Sequence, residues 1–198
     1  TSVAAGVLAV AFVLPMGQLL AWAVRHAAAD LDVRYWAFAA RSVALAGSGA
    51  LVVVAAALLH GYALRAERRA WVRGLGRIAT VGYAIPGTVL AVGLFAPVAA
   101  LGNFAPQLFL QGTLLTMFVA YLARFLAVGT GPVESGLARI HHNLDEAATL
   151  LGAGSLARLR RLHLPLLRGS LLAAAVLVFV DLMKELPITL MTRPFGFE

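Results

Sequence analysis

Glu146-Ala147-Ala148, Gly152 and Leu164-Pro165 punctuate a polar, arginine-bearing stretch between apolar runs near residues 108–128 and 169–191. Crossing a membrane does not by itself require such an interlude. Each flanking run is long enough to traverse about 30 Å of hydrocarbon as a helix, and three more lie upstream, near 3–24, 43–64 and 78–99. Helix is the only form open to them, because an unpaired backbone N–H or C=O finds no partner in lipid. The pattern predicts an all-α polytopic membrane protein: one transmembrane domain over residues 1–198 with about five spans and a single elaborated loop at 132–168.

Composition points the same way. Hydrophobic residues make up 61% of the chain and charged residues 13%, against about a quarter charged in soluble domains, and the mean hydropathy is +0.87. Function must therefore lie in spans and loops. The absence of cysteine excludes disulfides, thiolate metal sites and cysteine nucleophiles. The net charge of +7 reads as cytoplasmic loops under the positive-inside rule rather than as a nucleic-acid surface. Arg65, Arg68, Arg69, Arg73 and Arg77 face only Glu67 in one loop, and Arg139, Arg158, Arg160, Arg161 and Arg168 crowd another, two crossings later. Both are expected in the cytoplasm. The other side carries Arg25, Arg34 and Arg41 offset by Asp30 and Asp32, an uncharged turn at Gly102-Asn103, and Arg193. With neither an initiator Met nor a basic leader at Thr1, the first run reads as a span of a longer polypeptide. The odd number of crossings suggests a further span beyond Phe197-Glu198.

The loop at 132–168 is too long for a plain connection, and reads as two short helices set at an angle. Asn143 is placed as an N-cap, with Glu146 three residues on to complete a capping box. Leu144, Ala147, Ala148 and Leu151 then form a narrow apolar stripe, suited to a partner's groove or to lipid headgroups. Gly152 supplies the left-handed residue that closes a helix. Ser155 can cap the next helix, with Leu156, Leu159 and Leu162 on one face and Arg158 and Arg161 on another. Pro165 disfavours helix at Leu164 and is expected to redirect the chain into the last span.

In residue types and spacing, Glu146-Ala147-Ala148, Gly152, Leu162 and Leu164-Pro165 resemble the EAA signature of permease subunits of ATP-binding cassette importers. The departures are Leu159, where an aromatic often stands, and Leu162, in place of Ile or Val; both keep an apolar contact. The resemblance implies a type I importer permease bundle whose loop is a coupling helix docking on a separate ATPase subunit. Glu146 and Gly152 would carry the docking and turning roles, with Asn143, Ala147, Ala148, Leu159, Leu164 and Pro165 shaping the same ledge. Residues 82–90, 181–187 and 193–197 are similar to segments of the ferric-iron importer permeases. The resemblance therefore implies ferric iron as cargo, delivered by a periplasmic binding protein across a bacterial inner membrane. Polyamine, thiamine and phosphonate permeases are the alternatives. Only one EAA loop is present, so the chain resembles one half of a duplicated permease, facing a second half. ATP and Mg²⁺ would sit on the partner ATPase and no cofactor on this chain, which contains no Gly-x-x-x-x-Gly-Lys-Ser/Thr string.

Asp181, Lys184 and Glu185 lie deep in the last apolar run, where ionisable groups are costly unless paired or wet. Helical spacing places all three in one polar patch. Pro187 lacks an N–H and so would free the Met183 carbonyl beside them. Either the patch is an internal ion pair that fixes packing, or Asp181 and Glu185 are transient oxygen ligands for a hard trivalent ion, weakened by Lys184. Pro86-Gly87 is expected to kink the third span, as a fixed bend or a gating hinge. Arg124 reads as snorkelling towards the cytosolic interface. His141 and His142 are adjacent and point apart, while His26, His60 and His163 have no ligand partners at useful spacing. Ala46-Gly47-Ser48-Gly49 invites comparison with an intramembrane serine hydrolase using His60, but small residues for close helix packing explain it better. A passive channel is the remaining alternative class.

Overall fold

The computed structural model describes residues 2–67, 69–104 and 113–193, apart from the side chains of 28–30, 99 and 101–104. Among the described residues the elements are helical throughout. Two compact units divide the chain, residues 1–43 and 44–198. In the first, α1 (Ser2–Leu8) passes through a π-helical turn (Ala9–Val13) into α2 (Leu14–Asp30). Its span, Ser2–Ala27, leaves its apolar side chains exposed.

Helix α3 (Val33–Ala66) runs for 34 residues. Beyond Val43 it buries Ala46, Gly49, Ala50, Val53, Ala57 and Gly61, spaced three and four apart so that they share one face. A Cβ on Gly49 would press on Leu182 and Tyr121, and one on Gly61 on Leu137 and Val133. Without a hydrophobic drive in lipid, such small residues let helices approach closely enough for dispersion to hold them. Ser48 donates to the Leu45 carbonyl of its own helix, and His60 lies about 18 Å further along it, too far to serve as its base.

The third expected span is a broken one. α4 (Ala70–Ala79) and a 3₁₀ turn (Val81–Ala84) lead to α5 (Gly87–Phe104) through a bend of 115°. Pro86 disfavours helical geometry at Ile85, which is extended (φ −83°, ψ 131°). The predicted kink is therefore a full break. Residues 105–112, where the fourth run was expected to start, lie outside the described residues; α6 spans Leu114–Ala138, capped by the Thr113 hydroxyl, which accepts from the Thr116 N–H.

Because α6 runs straight through Pro132, the polar loop is shorter than the predicted 132–168. It comprises α7 (His142–Leu150) and the turn into α8 (Ser155–Arg158). Pro165 does not redirect the chain either. A π-helical turn (Leu159–His163) joins α8 to α9 (Leu164–Lys184), giving one helical run, Ser155–Lys184, of 30 residues. The Leu164 N–H reaches back five residues to Leu159, and this wider turn accommodates the proline ring that a tight α-turn would exclude. Leu14-Pro15 follows the π turn of the first span in the same way, with the Leu14 N–H bonded to Ala9. At Glu185 the chain leaves the helix (φ −85°, ψ 91°) and resumes as α10 (Leu186–Thr192), with Pro187 in its first turn. Four unbroken helices plus the bent pair account for the five expected spans.

Two apolar clusters hold the second unit together. One gathers Ala50, Val53, Met117, Tyr121, Phe125, Val178, Leu182 and Ile188. The other gathers Ala57, Val133, Leu137, Ile140, Leu167 and Ala174 below the polar loop. Elsewhere large apolar side chains remain exposed along the spans, as a lipid-facing surface requires.

Candidate functional site

Helix α7 begins two residues earlier than the sequence suggests. The backbone N-cap is His141, no side chain caps the helix, and Asn143 lies inside the first turn. The expected capping box between Asn143 and Glu146 is therefore absent: the carbonyl of His141 already takes the Leu144 N–H. Ser155 likewise does not cap α8, whose N-cap is Gly154. The expected role of Gly152 holds in geometry. Its φ is +79°, and the Gly152 and Ala153 N–H groups bond to the Thr149 and Ala148 carbonyls, the paired closure of a Schellman motif.

This turn leaves the apolar tip uncovered. Leu150 and Leu151 are 89% and 88% exposed, Leu144 and Leu156 are exposed too, and so are Glu146 and Ala147, with Ala148 half-buried. Leu159 sits in the π turn, and Leu164 and Pro165 open α9 behind it. The predicted stripe thus faces away from the bundle.

The buried residue of α7 is Asp145, which the sequence did not single out. Arg65, at the end of α3, donates to Asp145 Oδ2 from Nε (3.2 Å) and Nη2 (2.8 Å). The same guanidinium donates to the carbonyls of Leu137 (2.5 Å) and Ile140 (2.8 Å) at the end of α6; the Leu137 carbonyl also takes the Ile140 N–H. On the other side, His163 Nε2 lies 2.8 Å from Asp145 Oδ1, with the ring 1% exposed. Tyr62, one turn before Arg65, packs edge-on against that ring and donates to the Ser155 carbonyl at 3.3 Å. Burial alone would raise the Asp145 pKa, but the Arg65 hydrogen bonds and the charges of His163 and Arg65 outweigh it and hold the carboxyl below its ordinary value. Arg65 reads in sequence only as an orientation charge, and His163 as partnerless; both were missed because their partner lies far along the chain.

The deep polar residues separate into two pairs, not the single patch expected. Asp181 pairs with Lys184 at 3.0 Å and accepts from the Tyr83 hydroxyl at 3.3 Å. Glu185 turns away, because the helix ends beneath it, and pairs with Arg124 Nε at 3.2 Å. Its Oε1 also accepts the Ile188 N–H, capping α10. Arg124 does not snorkel: its side chain is 17% exposed and Glu185's 9%, and its guanidinium also donates to the Ile85 carbonyl. Gly87 is pressed against the Glu185 carboxylate. Pro187 stands in the first turn of α10, where a missing N–H costs no helical bond. One ion pair thus ties both helix breaks, at 85–87 and at 185, to α6. Among the described residues no group of three or more His, Asp or Glu side chains is placed to hold a metal. Residues 194–197 of the segment similar to ferric permeases lie outside the described residues.

Residues 53–195 match the model of the binding-protein-dependent transport system inner membrane component family. Among similar proteins, the Fe(3+)-transport system permease protein FbpB 2 of Haemophilus influenzae is 28% identical over 182 residues, covering 90% of this chain and 35% of its own. A Sinorhizobium fredii protein described as an ABC transporter permease is 30% identical over 146 residues, 73% of this chain and 26% of its own. PhnV of Salmonella typhimurium, a permease protein assigned to 2-aminoethylphosphonate transport, is 30% identical over 145 residues, 73% of this chain and 51% of its own. The chain thus spans about a third of the first relative's length. With several membrane-length helices and a family match over most of its residues, this multi-pass membrane protein belongs to the family of inner membrane components of binding-protein-dependent transport systems.

Proposed function

We propose that the chain is the membrane permease portion of an ATP-driven importer, and that the ledge of α7 and α8 is where a separate ATPase subunit grips it. The observation that carries this reading is the apolar tip. Leu150 and Leu151 stand almost fully exposed at the end of a loop whose buried member is a carboxylate, not a hydrophobe. Two uncovered leucines beside a rigid turn are unfavourable in water and suit a groove on a partner. The arginine bias of the two richer loops supports a cytoplasmic ledge, the side on which a separate ATPase would meet it.

In this reading, ATP and Mg²⁺ are held by the ATPase subunit, a periplasmic binding protein delivers cargo from the other face, and a second permease half completes the pathway. Rigid-body rocking of the two halves alternates access. Ferric iron is the cargo we favour, on the FbpB 2 similarity over most of the chain. Passage near Asp181 and Glu185 then requires their pairs with Lys184 and Arg124 to open, since each carboxylate is already engaged. The PhnV similarity supports a second reading, 2-aminoethylphosphonate.

Purification of the permease from its native membrane should bring down an ATP-hydrolysing subunit. Vesicles made from that complex should take up radiolabelled ferric iron, or 2-aminoethylphosphonate, only with ATP and a binding protein. Glu146→Arg and Gly152→Arg should each release the ATPase while leaving membrane insertion intact. Flux that ignores ATP would identify a passive channel instead.

A further inference from the structure

The importer reading requires that a push on the α7–α8 ledge reach the spans, yet α7 has almost nothing to push with. Its exposed leucines point outward, and its buried residue is Asp145. An amphipathic helix normally transmits force through an apolar face packed into the core. Here the apolar cluster beneath the loop is built from α3, α6, α9 and Ile140, without α7. What joins the loop to that cluster is polar and directional.

We propose that Asp145 is the pin that transmits the ledge's movement into the bundle, with Arg65 and His163 as its two sockets; this rests on the importer reading above. Each oxygen of the carboxylate addresses a different span. Oδ2 takes two N–H groups from Arg65 at the end of α3, and Oδ1 lies against His163 in the π turn that leads into α9. The Arg65 guanidinium carries the link on to α6 through the Leu137 and Ile140 carbonyls. Tyr62 adds a second tie, from α3 to the start of α8 at the Ser155 carbonyl. Within the ledge, Thr149 donates to the Asp145 carbonyl and accepts from Arg158 of α8 at 2.9 Å, so α7 and α8 move together. A displacement of the ledge therefore arrives at α3, α6 and α9 at once. Asp145, Arg65 and His163 are positioning residues.

Arginine is specific to this task. A planar guanidinium can hold a carboxylate and two carbonyls simultaneously, whereas a lysine ammonium is a single point charge with no fixed fork. The apolar cluster lies outside the pin, so removing it should leave the bundle folded and the ledge loosely tethered. Slippage between engine and pathway is the expected defect, not loss of either.

The test uses the permease purified with its bound ATPase, reconstituted in vesicles with the binding protein, and reads ATP hydrolysed per radiolabelled ferric ion internalised, or per 2-aminoethylphosphonate if iron is not carried. Asp145→Asn, nearly isosteric, and Arg65→Lys, which keeps the charge, should each raise that ratio by about fivefold or more, the low end of ordinary inter-site coupling, with the ATPase still bound at wild-type stoichiometry. A wild-type ratio in both variants overturns the proposal. So does loss of the assembled complex in both, because the cluster would then serve assembly alone. A wild-type preparation with no ATPase and no uptake removes the importer reading and the pin with it. The wild-type control thereby tells the two failures apart.

Discussion

Two ion-paired clusters sit at opposite ends of the second unit's logic, and they use the same device for different ends. Around Asp145, a carboxylate on a short helix outside the spans is held by groups from α3 and the π turn before α9. Around Glu185, a carboxylate at a helix break within the spans is held by Arg124 of α6. In both, the arginine also donates to backbone carbonyls beside a helix end: Leu137 and Ile140 for Arg65, Ile85 for Arg124. The first cluster ties the α7–α8 loop to a bundle whose apolar cluster packs without α7; the second ties two interrupted spans to the bundle itself. The difference predicts which one the fold depends on.

The largest loss is expected from Arg124→Ala. It strands Glu185 almost fully buried among membrane-spanning elements, and an uncompensated buried charge costs about 3–5 kcal/mol. Glu185→Gln in the same background should recover much of that, since the stranded charge is gone. Melting of the purified protein in nanodiscs measures both, and an unchanged melting temperature for Arg124→Ala would show that water reaches Glu185. Next comes Gly82→Ala. A Cβ there runs into the backbone carbonyl of Ala123 on α6, which cannot swing aside as a side chain can, and the 3₁₀ turn carrying Tyr83 must lift. Overpacking of this kind costs about 1–3 kcal/mol. The same melting assay reads it, and a neutral result would mean that the turn has room to retreat from α6.

The two clusters also mark how far the sequence reaches. Apolar runs and prolines were enough to expect five helical spans and a bend at Pro86, though not a full break there, because lipid leaves the backbone no choice but helix and Pro removes a donor at a fixed point. The turn at Gly152 was legible for a similar reason: only a residue at ease with positive φ closes α7 that way. Helix phase was not legible. Asp145 faces in and Glu146 faces out, and nothing local in the sequence marks Asp145 as the buried one. That phase is set by Arg65, whose partner is 80 residues away, and local capping preference carries no trace of it. Glu185 was misread likewise: helical spacing assigned it to Asp181, while the chain had already left the helix to meet Arg124. Pro165 was misread because a π turn, which no simple propensity predicts, absorbed its strain.

A smaller effect follows from the titration of Asp145. Its folded pKa is lowered, so its contribution to holding the ledge is complete above the ordinary carboxylate value of about 4 and is lost as pH falls through the folded value. Cleavage by pepsin within residues 139–154 should therefore rise as pH drops below about 4, more steeply than cleavage elsewhere in the chain. In Asp145→Asn the same segment should be cut readily at every pH tested, with the step gone. A step that persists in the variant would assign the pH dependence to some other group and weaken the contrast between a pinned ledge and a self-sufficient bundle.

The smallest effect on the bundle, and the sharpest separation of the two regions, is expected from Leu150→Ser with Leu151→Ser. Both side chains are exposed, so the melting temperature should move by no more than a surface change does, within about 0.5 kcal/mol. Retention of the ATPase should nevertheless fall, because each leucine buried in a partner's groove is worth about 1.5–3 kcal/mol and about 1.4 kcal/mol is tenfold in affinity. Normal melting with a lost ATPase shows that the tip exists for a partner and not for the fold. Normal melting with full retention would mean that the grip lies elsewhere on the ledge, and Asp145 would then be a pin with nothing pulling on it.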